Sequence, residues 1–270
     1  MRISNIRWLR KLLLPAFSRF NPGDVSIRHH YTGDRFALHS FRHKGYWWHG
    51  RDRERETMEN FQDLVRPGDV VFEVGAHIGY ITLWLSKLVG PTGKVFAFEP
   101  GTNNLPYLQR NVGNRPNVEI IRQAAGEQCG IATLWTESLT GQNNSFVPAF
   151  EVLKANEQNA VKAQVDPVSV DTITLDAFFE ARNVWPRLLK IDVEGFEYEV
   201  LSGARKLLRA AQPALMVEVQ RRHDEVFQLL SSLGYRMTST DGREARSARD
   251  LHLNTFCVPA SWNRSAARAA

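Results

Sequence analysis

The chain has only two cysteines in 270 residues, Cys129 and Cys257. Two thiols so placed make neither a disulfide framework nor a metal-spaced pair, so a reducing, cytoplasmic compartment is expected. Long hydrophobic runs are missing too. The basic and apolar stretch from Ile6 to Phe17 holds an uncharged run far shorter than the roughly 20 residues that span a bilayer. No small-residue cleavage site follows it. It suits a helix packed on its own domain, with peripheral contact at the inner face of a membrane as the other use. Charge of one sign does not dominate: 34 Lys and Arg stand against 29 Asp and Glu, for a net charge of +5. The basic residues form no clear stripe and no Asn-Pro-Pro-Tyr base-flipping signature is present, so no nucleic-acid partner is expected. What remains is 43% hydrophobic content, enough for one sizeable core.

Against that background one stretch stands out. Val70 to Val74 is a short β-branched, apolar run after the turn signal Pro67-Gly68-Asp69, the pattern of a buried parallel strand. Gly75 and Gly79 bracket a tight turn, and a helical face of Ile81, Trp84, Leu85 and Leu88 follows, closed by Gly90-Pro91. Glycines let a backbone come close to a ligand. A second apolar strand, Lys94 to Phe98, ends at Glu99-Pro100, and an acid at that tip can accept both hydroxyls of a ribose. The turn is not the dinucleotide fingerprint, because His77 stands where a second close glycine would be needed. Glu73 at the strand end is unhelpful to a phosphate and suits a cation, such as the amino group of a methionine moiety. Together these features point to S-adenosyl-L-methionine (SAM).

Taken in order, residues 26–50 read as a short β-hairpin on the front of the domain, with Arg35 to His39 alternating like a strand. The histidines at 29, 30, 39, 43 and 49 match no metal template, and lining a substrate mouth is the alternative. Arg51 to Val65 and Thr102 to Val112 read as helices, and Asn117 to Ile121 as a third strand. Gln123-Ala124-Ala125 offers small residues on which a flat ring can lie. Ile131 to Trp135 is an extra strand, and residues 136–168 are irregular and suggest a substrate-facing flap. Thr174 is a plausible N-cap for a short helix from Leu175. Leu188 to Ile191 is an apolar strand ending in Asp192, followed by one helix running through Leu208. A fifth strand spans Ala214 to Val219, and Tyr235–Met237 and Thr255–Val258 are the last two.

Alternating strands and helices of these lengths imply a three-layer α/β fold, mostly parallel, with an antiparallel strand near the C-terminus. The expected division is an N-terminal helix and hairpin over 1–50, a catalytic domain over 51–260 and a disordered tail over 261–270. Glu73, Gly75, Glu99, Ala125, Asp192 and Glu218 fall at or near strand ends, where such sheets bind ligands.

From Arg66 to Pro259 the chain resembles the FkbM-type methyltransferases. The resemblance rests on Asp69-Val-Val-Phe-Glu-Val-Gly-Ala-His-Ile-Gly-Tyr80, Val95-Phe-Ala-Phe-Glu-Pro100 and Lys190-Ile-Asp-Val-Glu-Gly-Phe-Glu197. Glu73 and His77 replace the family's usual Asp and Asn. The resemblance implies a Rossmann-like SAM-dependent methyltransferase fold and O-methylation of a hydroxyl on a sugar, glycolipid or natural product. It implies that Glu73, Gly75 and Gly79 hold the methionine end of the cofactor, Glu99 the ribose, and Gln123, Ala124 and Ala125 the adenine region, with Ala76, His77 and Asp192 also among the cofactor-binding residues. Asp192 is the first candidate for the base or for orienting the acceptor, with Glu194 and Glu218 nearby. Asp192 as an N-cap and Glu194 as a helix-dipole partner are the structural alternatives. No metal is expected, since Asp192 and Glu218 alone are too few oxygen ligands for Mg²⁺. A nucleic-acid methyltransferase and a non-catalytic nucleotide-binding or membrane-associated protein are the rival functions.

Overall fold

The computed structural model describes residues 20, 22–138, 140–147 and 164–262. The expected N-terminal helix, most of the irregular 136–168 stretch and most of the expected tail lie outside them. In chain order, β1 (Asp24–Arg28) and β2 (Arg35–His39) form an antiparallel hairpin. They are followed by α1 (Lys44–His49), a 3₁₀ turn (Gly50–Arg53) and α2 (Arg55–Leu64). The central run is β3 (Val70–Val74), α3 (Tyr80–Val89), β4 (Lys94–Phe98), α4 (Leu105–Val112) and β5 (Val118–Ile121). Then come β6 (Ala124–Ala125), β7 (Gly130–Glu137), β8 (Val165–Ile173), α5 (Leu175–Arg182) and β9 (Leu188–Ile191). The chain closes with α6 (Glu197–Ser202), α7 (Arg205–Ala210), β10 (Ala214–Glu218), α8 (His223–Ser232), β11 (Tyr235–Thr238) and β12 (Asn254–Pro259).

Seven strands make the main sheet in the order β11-β12-β10-β9-β3-β4-β5. All neighbours from β10 to β5 run parallel, and β12 is antiparallel to both β10 and β11. The layers follow from the two-residue period of a strand. Phe72, Val74, Phe96, Phe98, Leu189, Ile191, Leu215 and Val217 pack on one face against residues of α5 to α8. Val71, Val95, Ala97, Leu188, Ala214 and Met216 pack on the other, against the hairpin, α2, α3 and α4. The hairpin is therefore part of the same core: Phe36 and Leu38 are fully buried there. Along the main sheet the chain turns outward from β3 through β4 to β5, then returns on the other side as β9 and β10. The gap between those directions, beyond the carboxyl ends of β3 and β9, is where such sheets bind ligands.

The structure corrects several element boundaries. Residues 44–49 are helical and not part of the hairpin. The helices expected from 51 and 102 start at Arg55 and Leu105, the latter with Pro106 in its first turn, where a missing N–H costs nothing. The single helix expected through Leu208 is two, α6 and α7, interrupted at Gly203. There a Cβ would lie 2.0 Å from the Gly126 carbonyl oxygen, so the close approach and the break share a cause. β8 is unforeseen, because Pro167 reads as a breaker. It pairs with Trp135 of β7, in a part of β8 that β6 does not reach, so proline's missing donor is tolerated there. No helix among the described residues is long and apolar enough to cross a membrane.

Candidate active site

The same two-residue period that separates the layers gathers the acids. Glu73 follows Val71, Lys190 follows Leu188 and Glu218 follows Met216, each two residues on and so on the same face. The ladder continues past the strand ends, with Glu99 N–H donating to Ile121 O (3.0 Å) and Asp192 N–H to Val74 O (3.1 Å). Glu99 and Asp192 therefore extend the same parity beyond Ala97 and Lys190. Glu73, Gly75, Ala76, His77, Glu99, Ala124, Ala125, Asp192, Glu194 and Glu218 all line one cavity. Gly79 and Gln123 do not line it. A Cβ on Gly79 would meet Leu108 Cδ1 at 2.9 Å, so that glycine serves the packing of α3 on α4. Gln123 is half-buried outside the lining. Nor do the histidines at 29, 30, 39, 43 and 49 line it. His29 Nε2 hydrogen-bonds Tyr80 O at the start of α3, tying the hairpin to the main domain, and His43 Nδ1 accepts from His39 N–H within the extension.

Gly75 sits at φ +85°, and a Cβ there would stand 1.8 Å from Asp192 O. The turn after β3 therefore lies directly on the chain leaving β9, and only glycine permits both the conformation and the approach. His77 is also left-handed, at φ +52°. Its N–H donates to Glu99 Oε2 (2.8 Å), and its ring bridges Tyr46 OH (3.0 Å) and Thr140 O (3.3 Å). The carbonyl requires the proton on Nε2, so Nδ1 accepts from the Tyr46 hydroxyl. Burial holds this imidazole down to about 3, and it is a neutral connector, not a charge.

Glu99 also accepts from Gly101 N–H (2.9 Å) and Asn104 Nδ2 (3.2 Å). Burial raises it to about 7 despite those bonds. Glu73 is fully buried, and neither of its carboxylate oxygens has a hydrogen-bond partner. Burial raises it to about 7, opposed by the Lys190 ammonium. Lys190 Nζ donates to Gly75 O (2.7 Å), pairs with Asp192 Oδ2 (3.1 Å) and lies 4.0 Å from Glu73 Oε1. Burial pushes Asp192 up, but Lys190 and a hydrogen bond from Glu218 outweigh it and hold Asp192 below the usual carboxylate range. Glu218 is displaced far upward, by burial and then by the Asp192 charge. Two adjacent carboxyls sharing one proton behave this way.

Asp192, Glu194 and Glu218 each bring an oxygen within 4.8 Å of the others, the spacing of a cation site. Gln220 Nε2 donates to one oxygen of each glutamate, Glu194 Oε2 (2.8 Å) and Glu218 Oε2 (2.9 Å). Six carboxyl and two cationic side chains line the cavity; with Glu218 protonated, Asp192 and the remaining acids still favour a cationic group over an anionic one.

The lining contains residues that sequence reasoning did not single out. Tyr46 comes from α1, Arg53 and Glu54 from the 3₁₀ turn and the start of α2, and Gly141 to Asn144 with Phe146 from the described part of the expected flap. That part is pinned by Asn104 Nδ2 to Gly141 O (2.9 Å) and by Ser145 Oγ to Glu194 O (2.7 Å). Leu134 and Phe146 stand with Ala124 and Ala125 as the apolar end of the cavity.

A family model described as methyltransferase FkbM domain matches residues 73–237. The chain is 28% identical over 190 residues to the hexuronic acid methyltransferase AglP of Haloferax volcanii, covering 68% of this chain and 71% of that one. It is 29% identical over 196 residues to the 31-O-demethyl-FK506 methyltransferase FkbM of Streptomyces tacrolimicus, covering 63% of this chain and 74% of that one. Among solved structures it is similar to the methyltransferase FkbM of Methylobacillus flagellatus, with 17% identity and a TM-score of 0.46. That match covers 74% of this chain and 50% of the other.

Proposed function

Since the chain belongs to the FkbM methyltransferase family, we propose that it moves the methyl group of SAM to a hydroxyl oxygen of a sugar, glycolipid or natural-product acceptor. The observation that carries this reading is the convergence of Glu73, Glu99 and Asp192, from three different strands, on one acid-rich cavity over the Gly75 turn. The residues fit the cofactor's three parts. Glu73 has two buried carboxylate oxygens without a hydrogen-bond partner, suited to a cationic methionine end. Glu99 keeps free lone pairs beside its three donors and suits the ribose hydroxyls. Ala124, Ala125, Leu134 and Phe146 offer an apolar slot for adenine. One relative's name states a hexuronic acid as the acceptor and the other an O-demethylated FK506; the first supports a sugar acceptor and the second an oxygen acceptor.

When bound, the cofactor supplies a methyl group on a positively charged sulfur. Asp192 keeps 30% of its side-chain surface open and is ionised, so it can accept the proton that the acceptor hydroxyl gives up. SAM held in this cavity would supply the methyl to that oxygen and would be left as S-adenosylhomocysteine (SAH). Glu218, protonated and bonded to Asp192, and Glu194, fixed by Gln220, set the direction in which Asp192 faces. Alignment of oxygen, carbon and sulfur supplies much of the rate, and the pinned 140–147 loop helps to exclude water.

The test is transfer of isotopically labelled methyl from SAM to methyl glycosides of neutral hexoses, of hexuronic acids, and to a macrolide polyol. Label that survives alkali marks an ether and supports hydroxyl transfer. Label released by alkali marks a carboxyl ester and contradicts it, and label on none of the three classes contradicts the acceptor assignment.

A further inference from the structure

Lys190 is a charged residue in the middle of a buried parallel strand, and nothing above gives it a task. It is 1% exposed. Its register partner on β3 is Glu73 and on β10 is Met216. Burying an ammonium there carries a desolvation penalty that only close partners offset. Those partners are not random. One is the carbonyl of Gly75, in the turn read as holding the cofactor, at 2.7 Å. Another is the carboxylate of Asp192, read as facing the acceptor, at 3.1 Å. Glu73, read as holding the cationic end of the cofactor, is the third, at 4.0 Å. A single ammonium thus touches both halves of the reaction.

We propose that Lys190 is a positioning residue that ties the Gly75 turn to the Asp192 carboxylate, so that the cofactor site and the acceptor-side acid are set in one geometry. The inference rests on the functional reading of those two elements. Lys190 acts through them.

The charges around it determine the sign of the effect. Glu73 faces it from β3, Asp192 from the end of its own strand and Glu218 from β10. Glu99 lies beyond β4, His77 in the glycine turn, Glu194 after β9, Arg53 in the 3₁₀ turn and Glu54 at the start of α2. Removing the ammonium leaves Glu73 and Asp192 without their nearest cation, so both must ionise at higher pH. Weaker ionisation of Glu73 means weaker grip on the amino group of the cofactor near neutral pH.

Calorimetric titration with SAH from pH 5.5 to 9 tests this without knowledge of the acceptor. Lys190→Gln keeps a donor for Gly75 O and loses the charge; Lys190→Met loses both. Both variants are expected to move the pH midpoint of SAH affinity upward by about one unit or more. The Met variant alone is expected to lose a further factor of about ten at the high-pH plateau, from the missing bond to the turn. Adding Asp192→Asn to Lys190→Gln is expected to recover affinity by at least about threefold, because one stranded charge is removed. This double variant also keeps the test open where a single variant does not fold. A merely structural lysine lowers the plateau and leaves the midpoint in place. That result, or strictly additive effects in the double variant, overturns the inference while leaving the functional reading intact. Wild-type protein that binds no SAH overturns both.

Discussion

Glu73→Gln is expected to make the ligand-free protein more stable and its cofactor site far weaker. Burial raises Glu73 from its ordinary value of 4.5 to about 7, because its carboxylate is fully enclosed without a hydrogen bond. A carboxyl whose folded value lies above its unfolded one destabilises the fold progressively as pH rises from the ordinary value through the raised one. At about 1.4 kcal/mol per unit, the ionised group costs on the order of 3 kcal/mol at pH 8. Near pH 5 the folded protein holds the carboxyl neutral, and the cost is under about 1 kcal/mol. Glutamine has the same shape and no charge, so the variant should gain roughly that difference. In thermal unfolding this amounts to a rise in Tm of roughly 5 °C or more at pH 8, shrinking toward zero by pH 5. In the same preparation SAH affinity should fall at least about tenfold, since a desolvated charge–charge contact is lost. A variant less stable than wild type at pH 8, or a Tm difference independent of pH, would refute the claim that Glu73 is a charge held in reserve for a ligand.

Three further expectations follow from the geometry. Asp192→Asn should retain SAH binding within about threefold and lose turnover by roughly 10²- to 10⁴-fold, the usual worth of a positioned base; steady-state rates within tenfold of wild type remove the assignment. Glu99→Ala should weaken SAH binding by at least about tenfold, because both ribose hydroxyls lose their acceptor; wild-type affinity by calorimetry would refute the ribose role. Gly75→Ala should destabilise the fold by about 3 kcal/mol or more, since its Cβ would stand 1.8 Å from the Asp192 carbonyl oxygen at a backbone φ of +85°; a Tm within about 2 °C of wild type contradicts the close packing of β3's turn on β9.

The main sheet was legible because its strands are short, apolar and punctuated. Val70–Val74, Lys94–Phe98 and Leu188–Ile191 each announce themselves as runs between turn signals, and the acids at their tips locate the ligand edge. The face on which those acids meet needed only the parity of Val71, Leu188 and Met216 in register. Other features were hidden for physical reasons. Gly79 looks like a cofactor glycine, but its missing side chain serves Leu108 and Val112 of α4, a packing need that spacing does not reveal. Tyr46 reaches the cavity from α1, Arg53 from the 3₁₀ turn and Glu54 from the cap of α2, and no local pattern in an aromatic, histidine-rich stretch says which side chains point inward. Lys190 was the detectable omission. A lysine between Leu189 and Ile191, in a strand covered on both faces, must have buried partners, and the acids two residues away and on β3 were already in view.

A crystal structure of the protein with SAH bound tests the central claim most directly, namely that acids from three strands form one cofactor site over the Gly75 turn. The expected complex has both ribose hydroxyls on Glu99, the amino group beside Glu73, the adenine against Ala124, Ala125 and Phe146, and the sulfur facing Asp192. SAH seated elsewhere on the molecule, or lying in this cavity with its ribose away from Glu99, would contradict it.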